Sequence, residues 1–390
     1  MNRKKYFIWL LLFGVLISGC QREADYRSIS VRRTVLVYLG VDNNFRAEAA
    51  QKIRQLTNAW HKDIDGNLLV YADTGEQAFL VHIYYSPQRG AVADTIETYA
   101  ADNSASPSTL NRVLRSVKAF RPADSYGLVV LSHGTGWLPA EMSAPAIGLK
   151  SVIIDTSTDE PDNYMELSAF AEAIPYRLDF IIFDACWMAS VEVAYELKDK
   201  ADYLVASPAE VLEPGFVYGS MMRHLFKPKP DLTSVAREFY EYHDSQSDLF
   251  RSATASVIKT SAVEALAPIV KEITASRHGG LDPPSPDKEM LNQVQHDVAA
   301  IQSFGYGKQK IFFDLGDYLH KLEPEKTEQI QVALHQSVLY KAHTPSYYSS
   351  GTGRLETIRA FSGLTTYIPQ EAYPEANKAY GNLKWAKAVY

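Results

Sequence analysis

Short apolar runs alternate with amphipathic stretches over residues 34–215. Val35-Leu36-Val37-Tyr38-Leu39 reads as a strand, and residues 47–60 carry helical apolar spacing. Residues 68–72 and 78–85 read as strands joined across Thr74-Gly75. A helix over 107–120 and a buried strand over 126–131 follow. Next come helix 165–174, buried strand 180–183, helix 188–197 and strand 203–206. Brief β-rich runs between helices predict an α/β fold: a mostly parallel central sheet flanked by helices on both faces.

After about Phe216 the helical period takes over, at 216–226, 231–245, 261–276, 288–303, 312–322 and 325–341. Strands are expected there at 253–258 and 363–368. Residues 278–288 hold two Gly and three Pro and read as a loop. The expected organisation is therefore a sheet domain over 34–215, with a smaller α-rich region over 216–390 packed on it.

The N-terminus departs from this pattern. Arg3, Lys4 and Lys5 precede an almost wholly apolar stretch from Tyr6 to Ile17. That is the layout of a secretory signal, and it is short for a membrane span. It ends Ser18-Gly19-Cys20, which resembles the lipobox of bacterial lipoproteins. The resemblance implies a signal peptide over 1–19, a lipid on Cys20 and a polar tether over 20–33. It places the chain in the bacterial cell envelope, held to a membrane through that lipid.

Composition changes the picture only in part. Hydrophobic residues make up 46% and charged residues 22%, ordinary values for a soluble globular chain. Removing 1–19 takes three of the 39 basic residues, leaving 36 against 46 acids, a formal charge of −10. That argues against a nucleic-acid partner and suits cationic substrates. The chain has two Cys, so assigning Cys20 to a lipid leaves Cys186 without a disulfide partner. An unpaired Cys in an exported protein is either reactive or an inert buried apolar residue.

Two strand ends decide between those readings. One runs Leu128-Val129-Val130-Leu131-Ser132-His133-Gly134, the other Phe180-Ile181-Ile182-Phe183-Asp184-Ala185-Cys186. Sites in parallel sheets form at the carboxyl ends of strands, so neighbouring strands here would set His133 against Cys186. The thiolate is the nucleophile, and an imidazole can take its proton and pass it to a leaving amine. The helix expected from Met188 would favour the thiolate through its dipole. Gly134, with no side chain, can bring its N–H to a developing oxyanion, and the Cys186 N–H is the natural second donor.

The strings Ser132-His133-Gly134-Thr135-Gly136-Trp137 and Asp184-Ala185-Cys186-Trp187-Met188-Ala189 resemble caspase-like cysteine peptidases, and most closely the clostripain family. Ala206-Ser207-Pro208 and Glu213-Pro214-Gly215-Phe216 are similar to it as well. The resemblance implies a caspase-like catalytic domain over 34–215, a His133–Cys186 dyad, and cleavage of proteins or peptides after Arg or Lys. It implies that Asp184 is an acid of the specificity pocket, with Glu210 and Glu213 as candidates for a second. Some relatives cut themselves between the His and the Cys. Lys150, the one basic residue between His133 and Arg177, is the corresponding candidate here.

Clostripain-type enzymes are associated with calcium, but no sequence feature locates a site. No His-Glu-x-x-His, paired Cys-x-x-Cys or P-loop is present, so no metal ligand or cofactor is assigned. A monomer is expected. Two rivals remain: a catalytically silent binding protein of the same fold, and a transpeptidase or amidase using the same dyad.

Overall fold

The computed structural model describes residues 31–40, 46–74, 77–99, 103–139, 152–154, 164–278, 301–306 and 309–390 of the 390-residue chain. The expected sites at Cys20 and Lys150, and most of the expected helix 288–303, lie outside the described residues.

A sheet of nine strands organises residues Val31–Tyr390, which form one compact unit. Its strands in chain order are β1 (Val31–Leu39), β2 (Asn67–Asp73), β3 (Ala78–Ser86), β4 (Gly90–Tyr99) and β5 (Ala123–Leu131). The others are β6 (Leu178–Asp184), β7 (Ala201–Ala206), β8 (Thr254–Lys259) and β9 (Val338–His343). The spatial order is β9-β8-β7-β6-β5-β1-β2-β3-β4. The five strands β7-β6-β5-β1-β2 pair in parallel, and antiparallel strands extend the sheet on both sides.

Alternation along the central strands feeds two cores. Leu36, Tyr38, Leu128, Val130, Ile181 and Phe183 join one hydrophobic cluster. Val35, Val37, Val129, Leu131, Phe180 and Ile182 join the other. Helices cover both, as a parallel sheet requires. Helix α2 (Pro107–Phe120) buries Leu110, Val113, Leu114 and Val117 in the first cluster. Helices α1 (Arg46–Ala59), α5 (Tyr218–Leu225) and α6 (Leu232–Asp244) bury Leu56, Met221, Met222, Leu225, Val235 and Phe239 in the second. Between α2 and α5 lie α3 (Leu167–Ala173) and α4 (Val191–Glu196).

Several expectations need correction. The strand expected over 253–258 is β8, but residues after Phe216 are less purely helical than their spacing suggests, because β9 joins the main sheet beside it. The expected helix 312–322 starts only at Leu315, after a strand over Gln309–Asp314. Asp314 sets that boundary: its side chain accepts from the Asp317 N–H at 2.9 Å, an N-cap that ends the strand and starts the helix. The expected helix 325–341 stops at Ser337 and turns into β9. Val338, Leu339 and Tyr340 fit a pleated edge better than a helix interior. Strand β4 was not expected, since most of its residues keep contact with solvent and the apolar signal is weak.

Candidate active site

Strands β5 and β6 run parallel in register, Leu131 opposite Asp184. His133 follows Leu131 by two residues and Cys186 follows Asp184 by two, so both leave the sheet at the same level on neighbouring strands. Parallel neighbours lie about 4.8 Å apart, which leaves the two loops adjacent. Both residues line one small cavity with Glu48, Ser132, Asp184, Val211, Leu212, Glu213 and Gly215.

Gly134 shows how tightly these loops are joined. A Cβ at this position would fall 2.6 Å from the Cys186 carbonyl oxygen and 3.1 Å from its nitrogen. Only glycine lets the backbone rest against the Ala185–Cys186 peptide. Beyond it, Gly136 takes φ +65° and Trp187 φ +55°. The turn at Trp187 is pinned by its N–H to the Ala209 carbonyl at 3.0 Å, and by the Ala189 N–H to the Ser207 carbonyl at 3.0 Å. The loops after β5, β6 and β7 therefore form one braced edge.

Cys186 is half-buried, and its surroundings favour the protonated thiol. The Val211 N–H points at Cys186 Sγ from 3.2 Å, and the thiol faces the Val211 carbonyl at 3.9 Å. Burial pushes the Cys186 thiol up to about 12; the nearby carboxylates of Glu210 and Asp184 add to the shift, while the Val211 N–H opposes it. Burial also lowers the His133 pKa. The helix expected to start at Met188 starts instead at Val191, with Ser190 as its N-cap. It spans six residues and begins five beyond the sulfur, so no helix dipole offsets the burial.

The acids fall into different surroundings. Asp184 is 3% exposed, and both its oxygens accept from the Phe216 N–H at 3.3 Å. Gly215, at φ +69°, covers it so closely that a Cβ would sit 2.2 Å from Oδ1. Burial raises the Asp184 pKa, and Lys52, 3.9 Å away, pulls the other way. Glu213 is exposed at the cavity wall. Glu210 is turned elsewhere: its Oε1 accepts from the Ser350 N–H at 2.8 Å and the Ser350 hydroxyl at 3.0 Å, and it does not line the cavity.

Sequence reasoning passed over Glu48, Lys52 and Val211, and gave Gly215 no role of its own. Glu48 and Lys52 are spaced four apart on an expected helix, the one signal that they share a face. Among the described residues, no three His, Cys, Asp or Glu side chains converge as a metal site. No residue set here is therefore assigned to the calcium that the resemblance raises. Among the same residues, no helix is long and apolar enough to cross a membrane.

The clostripain family profile matches residues 37–381. Clostripain of Hathewaya histolytica is 25% identical over 216 residues, covering 47% of this chain and 40% of that protein. The chain thus spans less than half of that relative's length. An inactive zymogen C11 protease from Parabacteroides distasonis superposes with a TM-score of 0.79 at 33% identity, over 93% of this chain and 99% of that one. A secreted C11 cysteine protease from Bacteroides thetaiotaomicron, bound to an irreversible peptide inhibitor, gives 0.78 at 27% identity, over 92% and 99%. The fold, the braced strand ends and these matches agree: the chain belongs to the clostripain family of cysteine peptidases.

Proposed function

We propose that this chain is an exported, lipid-anchored cysteine endopeptidase that cuts after Arg or Lys, with Cys186 as nucleophile and His133 as its proton partner. The observation that carries this reading is the registered pair of strand ends, which puts His133 and Cys186 in one cavity walled by Glu48, Asp184 and Glu213.

The chemistry follows from those groups. His133 accepts the thiol proton as Sγ adds to the scissile carbonyl carbon, and the carbonyl oxygen becomes an oxyanion. The N–H groups of Gly134 and Cys186 are the donors within reach of that oxygen. Collapse of the tetrahedral adduct breaks the C–N bond, and His133 returns its proton to the leaving amine. Water then attacks the thioester, with His133 as base, and releases the acid and the thiol.

The cavity measures only about 40 Å³, room for one or two waters and not for a long basic side chain. The Val211 N–H lies 3.2 Å from the sulfur at its edge. A long basic side chain would need more room there, which a shift of the segment 211–215 would give. Self-cleavage after Lys150 is a candidate trigger. Lipidation of Cys20 would hold the enzyme at the envelope, with peptides or proteins as its partners.

The test uses fluorogenic peptides ending in Arg, Lys, Asp or Leu, with wild type, Cys186→Ala and His133→Ala. Turnover of the Arg and Lys peptides by wild type alone is expected. Absence of turnover together with no labelling of Cys186 by a thiol-reactive arginyl inhibitor would refute the peptidase reading. Wild type running as two fragments and Cys186→Ala as one would support self-processing. An active but intact wild type would rule it out.

A further inference from the structure

A larger cleft, about 890 Å³, opens between two hairpins of the C-terminal half. One wall is the hairpin of strands Ser346–Ser349 and Arg354–Thr357. The other is the strand pair Ser303–Tyr306 and Gln309–Asp314 with the helix Leu315–Leu322. Tyr347 pairs with Glu356 and Ser349 with Arg354 across the first hairpin, so these four side chains share the face that lines the cleft. The walls are tied together. The Gly305 N–H donates to the Tyr347 hydroxyl at 3.0 Å, and Gln302 Oε1 accepts from the Arg359 N–H at 2.8 Å.

The charge of the cleft runs against that of the chain. Lys310, Lys321, Arg354 and Arg359 line it against two acids, Asp317 and Glu356, in a chain with 46 acids and 39 Lys and Arg. Both acids are already engaged. Asp317 accepts from the Lys321 ammonium and the Gln302 N–H, each at 2.7 Å. Glu356 accepts from Arg354 at 3.1 Å and Thr352 at 3.0 Å. Lys310 and Arg359 are exposed and make no ion pair among the described residues. Gln309 Oε1 is buried in the lining of the same cleft without a hydrogen-bond partner, a position that a peptide N–H would complete.

The cleft adjoins the catalytic loops. Ser349 lines it, and the next residue, Ser350, donates its N–H and its hydroxyl to Glu210, whose charge is felt at Cys186. We propose that this cleft is an accessory substrate subsite for an acidic segment of the peptide, a few residues from the scissile bond. Lys310 and Arg359 meet its carboxylates, and Gln309 accepts from its backbone. Cations without partners attract such a segment and repel a basic one, so the cleft selects by sign. This rests on the peptidase reading, but not on the choice of Arg or Lys at the cut.

The experiment uses internally quenched peptides with one fixed residue at the cut, the one wild type cleaves best, and Glu, Gln or Lys at each other position in turn. Enzymes are wild type, the reversed variant Lys310→Glu/Arg359→Glu and the neutral variant Lys310→Gln/Arg359→Gln. Wild type is expected to favour Glu over Gln at one position, or two adjacent ones, by about 3- to 10-fold in kcat/KM, chiefly through KM, with the gain shrinking as salt is added. The neutral variant loses that preference. The reversed variant favours Lys at the same position and cleaves the Gln peptides as wild type does; the neutral variant serves if the reversed one does not fold. Cleavage with no position favouring Glu, or the same preference in all three enzymes, overturns the subsite and leaves the peptidase reading standing. No cleavage of any peptide overturns both.

Discussion

The partly buried thiol makes a prediction that can be read from a rate. At pH 7.4 a thiol with a pKa of about 12 is ionised in roughly 1 molecule in 40,000, whereas at the ordinary value of 9.0 it is roughly 1 in 40. Alkylation proceeds through the thiolate, so the resting enzyme should react with iodoacetamide about a thousandfold more slowly than a small peptide thiol. The suitable protein carries Cys20→Ser, which leaves Cys186 as the one remaining thiol. Rates are measured from pH 6.5 to 9.5 by mass of the adduct. The expected profile climbs about tenfold per pH unit without a plateau.

Steric shielding alone would also slow the reaction, but it would leave a plateau near the ordinary thiol pKa. A midpoint below pH 9 would therefore refute the claim that burial sets the protonation state. Burial is the largest cause and Glu210 a lesser one, so Glu210→Gln should move the profile to lower pH without bringing it to the ordinary range. The same shift bears on stability. Between pH 9 and 12 the unfolded thiol has lost its proton and the folded one has kept it, so Cys186 makes the resting state less stable as pH rises through that window.

Three further outcomes follow from close contacts. Gly134→Ala places a Cβ 2.6 Å from the Cys186 carbonyl oxygen, forces the two catalytic loops apart, and should cut kcat about 100-fold or more while the folded protein persists; steady-state kinetics beside circular dichroism check it. Gly215→Ala combines a left-handed φ with displacement of the Asp184 carboxylate, and should destabilise by about 2–4 kcal/mol in denaturant titration. Arg33→Met removes the donor that serves the Leu225 and Lys227 carbonyls and the Asp179 carboxylate, and should cost about 3–5 kcal/mol by the same method.

The sheet was legible because its central strands are apolar on both faces and bounded by turns. What the sequence hid has physical causes. Strand β4 is half exposed, so its alternation carries little apolar contrast. The helix after Cys186 begins later than its apolar run, because Trp187 and Ala189 spend backbone groups on the 207–209 loop and Thr365 instead of on a helical turn.

The site divides in the same way. The meeting of His133 and Cys186 in one cavity was legible because each lies two residues past a buried strand, where local sequence and position in the sheet carry the same information. The acids around them do not share that property. Asp184 was visible only through its nearness to Cys186, whereas Glu48 sits on a helix 85 residues before His133 and reaches the cavity only because α1 packs over the sheet's second core. Glu210 and Glu213 are three residues apart in one loop, and sequence gives no means of ranking them. The structure separates them by a single competing partner: Ser350 satisfies Glu210 from the far end of the chain, and Glu213 is left at the cavity wall. Two strand-end residues brought together by register can thus be read locally. A charge pocket assembled from a helix, a strand end and a loop depends on long-range packing, and its members are distinguished by which of them already have partners.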